Sequence, residues 1–360
     1  MPDPTGAPAL FAARPKLFVA GQEEQLLADA LVELLVEEDT DGLCHCEATF
    51  SNWGPRGGAA GYLFFDRQLL DFGKALRIEL GAGATAGTVF DGKLTAIEGR
   101  FGSTRPPEVL ILAEDRLQDL RMIRHTQTYE QASDEDVARQ IASRQGLTAV
   151  VDVSGPTHRV VAQLNQSDLA FLRERARAVD AEVWVEGSEL HMQQRARRSA
   201  GQLTLAFGAG LHDFDVAADL AGQVTACDVT GWDVASKQAI TESATASAIG
   251  GELQGDTGGG SLLQSAFGDR KQQVVHHVPL TSQEARGLAE AHYRRVARRF
   301  VTGTGVADAD ARLRVGAHLT LSGLGALFDG EYAVTRTRHS FDASSGARTQ
   351  FAVERPGIGS

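Results

Sequence analysis

The sequence predicts a mainly β protein of the α+β class, with two related small β-barrels and an inserted α/β domain. Three observations predict it. Short alternating strands broken by glycine fill residues 1–116, a helical period takes over from 117 to 198, and a strand order resembling the first returns between 199 and 360.

In the first stretch, Ala30-Leu31-Val32-Glu33-Leu34-Leu35-Val36 leads through an acidic turn at Glu37 to Gly42 into Leu43-Cys44-His45-Cys46-Glu47-Ala48-Thr49-Phe50, whose apolar residues recur every second position. A period of two on the second arm favours a hairpin over a helix for the pair. Further strands are expected at Leu76 to Leu80, Val89 to Ile97 and Val109 to Ala113, separated by glycine-rich turns. Several short strands with that punctuation suggest a small barrel, preceded by an N-terminal arm.

From Leu117 to Arg198 the pattern changes. Ser133-Asp134-Glu135-Asp136 supplies an oxygen-bearing cap and first-turn acids for a helix whose apolar face holds Val137 and Ile141 and which stops at Gly146. A strand from Ala149 to Val153 follows, then a helix from Ser167 to Val179. A hairpin over Glu182–Met192, turning at Gly187-Ser188, closes the module.

After Ser199 a strand is expected at Gln223–Trp232, a flexible Gly/Ser-rich loop at 241–260, and a long helix at 282–300 opened by the capping box Thr281-Ser282-Gln283-Glu284. The internal repeat is the most informative feature. Phe72-Gly73-Lys74-Ala75-Leu76-Arg77-Ile78, Phe90-Asp91-Gly92, a strand to Phe101 and Ala113-Glu114-Asp115-Arg116 form one copy. Val315-Gly316-Ala317-His318-Leu319-Thr320-Leu321, Phe328-Asp329-Gly330, a strand to Phe341 and Ala352-Val353-Glu354-Arg355 form the other, with Gly73 matched to Gly316 and Gly92 to Gly330. Two copies so far apart imply a duplicated domain rather than a solenoid.

A net charge of -12 disfavours nucleic acid, whose phosphates are bound by concentrated Lys and Arg. The basic cluster Arg294, Arg295, Arg298 and Arg299 lies at helical spacing and reads as a solvated or subunit-facing stripe. No run reaches the ~18 apolar residues of a membrane span. Met1-Pro2-Asp3-Pro4 lacks the basic and apolar regions of a signal peptide, so synthesis in the cytoplasm is expected. Three cysteines form no closed set of pairs and read as reduced thiols.

Leu164-Asn165-Gln166-Ser167-Asp168-Leu169-Ala170-Phe171-Leu172-Arg173-Glu174-Arg175-Ala176, the hairpin ending Leu190-His191-Met192, Arg312-Leu313-Arg314-Val315-Gly316, Phe328-Asp329-Gly330-Glu331-Tyr332-Ala333-Val334 and His339-Ser340-Phe341 together carry a resemblance. Over most of its length the chain resembles the late control D family of contractile phage tails and the hub module of VgrG-like type VI secretion spike proteins and extracellular injection systems. The resemblance implies two tube-docking barrels per subunit in a homotrimer forming a pseudo-sixfold ring. It also implies a non-enzymatic baseplate hub between a hexameric inner tube and a trimeric spike, with other baseplate components as neighbours and no cofactor. Domains are then expected at 1–116, 117–198 and 199–360. Because only Pro356-Gly357-Ile358-Gly359-Ser360 follow the final strand, the spike is expected as a separate polypeptide.

The motifs of common catalytic sites are missing. There is no Gly-x-Ser-x-Gly, His-Glu-x-x-His or Walker loop, and Gly303-Thr304-Gly305 reads as a turn. Cys44-His45-Cys46 lacks a second ligand pair, and Asp308-Ala309-Asp310 lies in a small-residue loop without the sheet a glycosyl-transfer metal site uses. His276, His277 and His339 read as structural histidines, and Asp134, Glu135 and Asp136 as helix-start acids. Catalytic, cofactor and metal residues are therefore all expected to be none. The rival readings are a tail-associated cell-wall hydrolase, which needs a shielded acid in a separate domain, and a glycan-binding tail protein, for which Trp53, Trp184 and Trp232 are few and scattered.

Overall fold

A computed structural model describes residues 14–41, 43–81, 83–234, 236–275 and 278–359. Expectations for the N-terminal arm up to residue 13, for Gly42, for His276-His277 and for Ser360 lie outside them.

The chain opens with β1 (Lys16–Val19), α1 (Gln25–Ala30), β2 (Leu31–Asp39) and β3 (His45–Ser51). A small hairpin, β4 (Trp53–Arg56) and β5 (Ala59–Tyr62), precedes β6 (Ala75–Leu80), β7 (Gly87–Arg100) and β8 (Glu108–Glu114). The six longer-range partners stand in the order β1-β6-β7-β8-β3-β2, all antiparallel. The ambiguous apolar run is a strand because a bulge between Leu31 and Glu33 shifts its alternation, so that Leu31, Leu34 and Val36 all face the core. Only its first residue, Ala30, is helical, as the end of α1, which packs on β1 and β3 and buries Leu27 and Ala28 in the seam where no strand joins β1 to β2.

The middle of the chain carries α2 (Leu117–Arg121), β9 (Arg124–Ala132), α3 (Asp134–Arg144), β10 (Thr148–Asp152), β11 (His158–Ser167), α4 (Asp168–Ala178), β12 (Ala181–Glu186) and β13 (Glu189–Gln194). Ser133 accepts from the Asp136 amide while Asp136 reaches back to the Ser133 amide, so the capping box forms with Asp as its acid. The β12–β13 hairpin takes β10 as a parallel third strand, and α3 and α4 bury Val137, Ile141, Phe171 and Leu172 in one core.

Next come β14 (Gln202–Phe207) and β15 (Gly210–Ala218), then an excursion through β16 (Ala226–Asp233), β17 (Gln238–Thr245), α5 (Gly259–Phe267), β18 (Lys271–Val274) and α6 (Ser282–Arg298). The excursion has its own core around Cys227, Val229, Ile240, Ala289 and Tyr293. The chain then returns as β19 (Val301–Asp308), β20 (His318–Ser322), β21 (Gly330–Asp342) and β22 (Gly346–Arg355). The ring β14-β20-β21-β22-β19-β15, completed by a short β15–β14 pairing, is a closed six-stranded barrel.

The expected loop at 241–260 is not a loop. It is the end of β17, a 3₁₀ stretch at Ala246–Glu252 and the start of α5. Its glycines serve close packing: a β-carbon on Gly259 would meet the Phe300 ring, and one on Gly260 the Tyr293 hydroxyl.

The two barrels are copies in detail. Their strands occur in the same chain order, β1, β2, β3, β6, β7, β8 against β14, β15, β19, β20, β21, β22, with the same neighbours apart from β2, which lacks the β15–β14 closure. Bulges coincide: Leu31/Glu33 in β2 answers Leu211/Asp213 in β15, and Leu94/Ala96 in β7 answers Val334/Arg336 in β21. At the second pair the extra residue is a threonine in each copy. Thr95 Oγ1 donates to the Leu112 carbonyl and Thr335 Oγ1 to the Ala352 carbonyl. The Gly73 amide donates to the Leu94 carbonyl as the Gly316 amide does to Val334. The Phe-Asp-Gly match, however, is displaced by two residues: Ile78 faces Phe90 while its counterpart Leu321 faces Gly330. Phe90-Asp91-Gly92 lies inside β7, whereas Phe328-Asp329-Gly330 turns into β21. One strand differs in direction, since β1 runs antiparallel to β6 and β14 parallel to β20.

Gly73 and Gly316 both have positive φ, +75° and +85°, but a β-carbon on Gly73 meets open space and one on Gly316 meets the Arg198 side chain. Urea unfolding should therefore show Gly73→Ala costing about 1 kcal/mol and Gly316→Ala distinctly more, since the second adds a clash to the same backbone strain.

A candidate assembly site at the barrel joint

The barrels are joined by one strand. β21 pairs with β20 through Gly330–Ala333 and then, on the same side, with β2 through Arg336–Asp342, while β22 lines its other side. Leu34 stands opposite Phe341, and both are buried in the first barrel's core, with Ala347 of β22 beside them. On the polar register Asp39 faces Arg336 and Glu37 faces Arg338, so charge as well as shape fixes the pairing.

Buried ion pairs set the surrounding units against this joint. Arg298 of α6 forks onto Asp180 at 2.6 and 2.8 Å and onto Glu252 at 2.7 and 2.7 Å. Arg198 stacks on Trp184, donates to Glu182 at 2.8 Å and to the Val315 carbonyl at 3.1 Å, and lies 3.6 Å from Glu38 of β2. Arg195 bridges Glu182 and Glu354. The expected solvated arginine stripe is thus corrected for Arg298, which is buried, and for Arg294, which bonds the Ala248 carbonyl and Glu290; Arg295 and Arg299 are exposed. Sequence spacing gives a helix face but not what packs on it, and here Asp180 of the α/β domain and Glu252 of the helix's own excursion do.

Two strand edges have no partner among the described residues. Beyond Leu94, the edge of β7 facing away from β8 is unpaired over Ala96–Arg100. Beyond Leu211, the edge of β15 facing away from β19 is unpaired over Asp213–Ala218.

His339 sits in the joint opposite Val36, within 2.9 Å of Thr349 Oγ1, and burial, with Arg314 nearby, pushes it down to about 4. Asp115, accepting from the Cys44 and Leu117 amides, is pushed up to about 7 by burial. Cys44, Cys46 and Cys227 are free thiols, with Cys46 and Cys227 buried and raised by desolvation. Asp308 lies against His212 and Arg348, and Asp310 binds Arg312. Gly303-Thr304-Gly305 lies within β19 rather than in a turn, where Phe214 and Phe351 cover the two glycines. Asp134 is buried against Arg175 and His158, and Asp136 closes the capping box. Trp53 and Trp232 are exposed on separate units, and Trp184 stacks on His191. Among the described residues no group of three or more His, Cys, Asp or Glu is placed to hold a metal ion, and no helix is long and apolar enough to cross a membrane.

A family model described as Alg8 N-terminal domain matches residues 60–343. No protein of curated function matches the sequence. The fold is shared with the prophage MuSo2 43 kDa tail protein from Shewanella oneidensis, at TM-score 0.69 and 12% identity over 95% of this chain and 98% of that one. It is shared with a tail protein from Neisseria meningitidis MC58 at TM-score 0.64 and 11% identity, over 96% and 97% of the two chains. The E. coli c3393 protein, a type VI secretion component similar in structure to the phage T4 tail proteins gp27 and gp5, superimposes at TM-score 0.59 and 12% identity, over 94% of this chain and 76% of that one.

Two outcomes test the joint. Arg298→Met strands the buried Asp180 carboxylate and leaves the partly exposed Glu252 unpaired, and should cost roughly 3 kcal/mol in urea unfolding, partly restored by Asp180→Asn. His339 is held neutral in the fold, so the unfolded chain binds the extra proton between its ordinary value of 6.5 and about 4. Stability should fall with pH across that window by up to roughly 3 kcal/mol from this group. Asp115 works in the opposite sense, so the readout is the stability of the parent minus that of His339→Gln, which should fall as pH falls from 6.5 to about 4.

Proposed function

The chain belongs to the Alg8 N-terminal domain family, and we propose that it is a structural baseplate hub of a contractile tail or injection system, joining an inner tube to a spike. In this reading a first barrel (1–116), an α/β domain (117–198) and a second barrel with its excursion (199–360) make one subunit of a homotrimer. The particle that houses it is phage-tail-like, and its role is mechanical rather than catalytic.

The observation that carries the proposal is the duplication, preserved down to bulge positions and welded by β21 into one rigid pair. A sixfold tube and a threefold spike differ in symmetry, and two like barrels in each of three subunits offer six similar surfaces to one and three subunits to the other. The fold held in common with tail proteins and a type VI secretion component supports the same setting.

Light scattering on the purified chain should give the mass of three copies, and mixing with a recombinant tube protein should produce a complex of one trimer with one tube ring. A single-chain mass in both conditions argues against the hub. Clearing of a cell-wall zymogram by the pure protein would replace it with the hydrolase reading.

A further inference from the structure

The arginine stripe of α6 is only half absorbed by the ion pairs around the joint. Arg298 and Arg294 are held by carboxylates, but Arg295 and Arg299 are exposed and line a groove of about 430 Å³. The other walls of the groove are residues 39–41 at the end of β2, the helix α4, and the strands β21 and β22 where they leave the joint.

Seven arginines and five carboxylates face this space. Four of the carboxylates are already engaged: Asp180 with Arg298, Glu182 and Glu354 with Arg195, and Asp41 with Arg177. Asp39 is left beside Arg173, Arg295, Arg299 and Arg336. Arg295 donates to the Arg177 carbonyl at 3.0 Å, and the side chains of Arg299 and Arg336 have no hydrogen bond or ion pair among the described residues. Desolvation pushes the Arg173 guanidinium down from its ordinary value, against the pull of Asp41 and Asp39, and Arg177 adds to the effect. A concave surface with surplus guanidinium, set in a chain of net charge -12, concentrates a field that attracts anions.

The surplus is also spaced. Arg173 and Arg177 stand one turn apart on α4, and Arg295 and Arg299 one turn apart at the end of α6. Residues four apart on a helix have β-carbons roughly 5–6 Å from each other. Alternate residues of an extended chain are about 6.6–6.8 Å apart and show their side chains on one face, a near match to those rows. We propose that the groove docks an extended acidic segment of a partner protein, whose Asp or Glu side chains at alternate positions are received by Arg295, Arg299 and Arg336. Guanidinium forks suit this task, since each can hold a carboxylate through two parallel hydrogen bonds. The segment is not this chain's own N-terminus, because residues 1–13 hold a single acid, Asp3. A nucleic acid would meet the same cations, but its charge continues past the groove over an acidic surface that repels it. One chain carries the whole groove, so the proposal stands apart from the hub reading and from the number of copies in it.

The test titrates the full chain into a peptide of alternating aspartate and serine that carries a neutral fluorophore, and follows anisotropy. The peptide should bind, and binding should weaken with salt as the Debye length falls from about 10 Å at 0.1 M to about 3 Å at 1 M. Arg299→Ser should leave the urea midpoint in place and weaken binding about fivefold, and adding Arg295→Ser about fivefold again. Arg299→Lys, which keeps the charge and loses the fork, should fall between the parent and Arg299→Ser. Failure of the peptide to bind, or binding that the serine variants leave unchanged, overturns the proposal. Displacement of the peptide by inorganic phosphate or a single-stranded oligonucleotide at lower concentration than by unlabelled peptide also overturns it, and makes the groove a phosphate site. Equal binding of a peptide with its aspartates consecutive overturns the alternate spacing, and with it the extended segment.

Discussion

The structure depends on β21 belonging to two sheets at once. Its first residues complete the second barrel, and its last seven close the open side of the first against β2. Phe341 crosses with it into the first core. Neither barrel can tilt without stripping backbone hydrogen bonds from a buried strand, and unmade buried bonds cost more than made ones return. The orientation of the two barrels is therefore fixed by main-chain pairing, with the facing charges of Glu37 and Arg338 and of Asp39 and Arg336 selecting its register.

The α/β domain and the excursion between β15 and β19 are held differently. Arginines carry part of their contact with each other and with the barrels: Arg298 to Asp180, Arg198 to the Val315 carbonyl and toward Glu38, Arg195 to Glu354. Buried pairs of this kind add little net stability against an apolar packing, but they are unforgiving of misplacement. The guanidinium fork accepts a narrow range of carboxylate positions, so such contacts suit units that must be oriented as well as attached.

Much of this was legible in the residues. The period of two in β3, the Ser133 and Thr281 caps and the paired glycines at 73 and 316 each name a local backbone state, and local states leave local traces. Other parts left none. The Phe-Asp-Gly match deceived by two residues because a turn and a strand interior tolerate the same tripeptide, while the bulges that truly correspond are marked only by Thr95 and Thr335, ordinary residues in a strand. The glycine-rich run at 241–260 read as flexible because composition does not distinguish a glycine that frees the chain from one that lets Phe300 and Tyr293 approach it. The sharing of β21 was invisible for a simpler reason: pairing across distant strands is decided by which edge remains open after the rest has folded.

That distance has a consequence in time. Val36 and His339 pair across 303 residues of chain. At synthesis rates of 5–20 residues per second, β2 emerges roughly 15–60 s before its partner exists. For that interval the nascent first barrel holds a bare hydrophobic margin at Leu34, and a like margin on a neighbouring ribosome's product is chemically competent to meet it. The acidic run Glu37, Glu38, Asp39 and Asp41 at the end of β2 gives the waiting edge a repulsive guard, and the arginines of β21 that later neutralise part of it arrive last. The order of translation thus doubles as an order of folding, the open edge of the first barrel being covered only when the last strands of the same chain arrive.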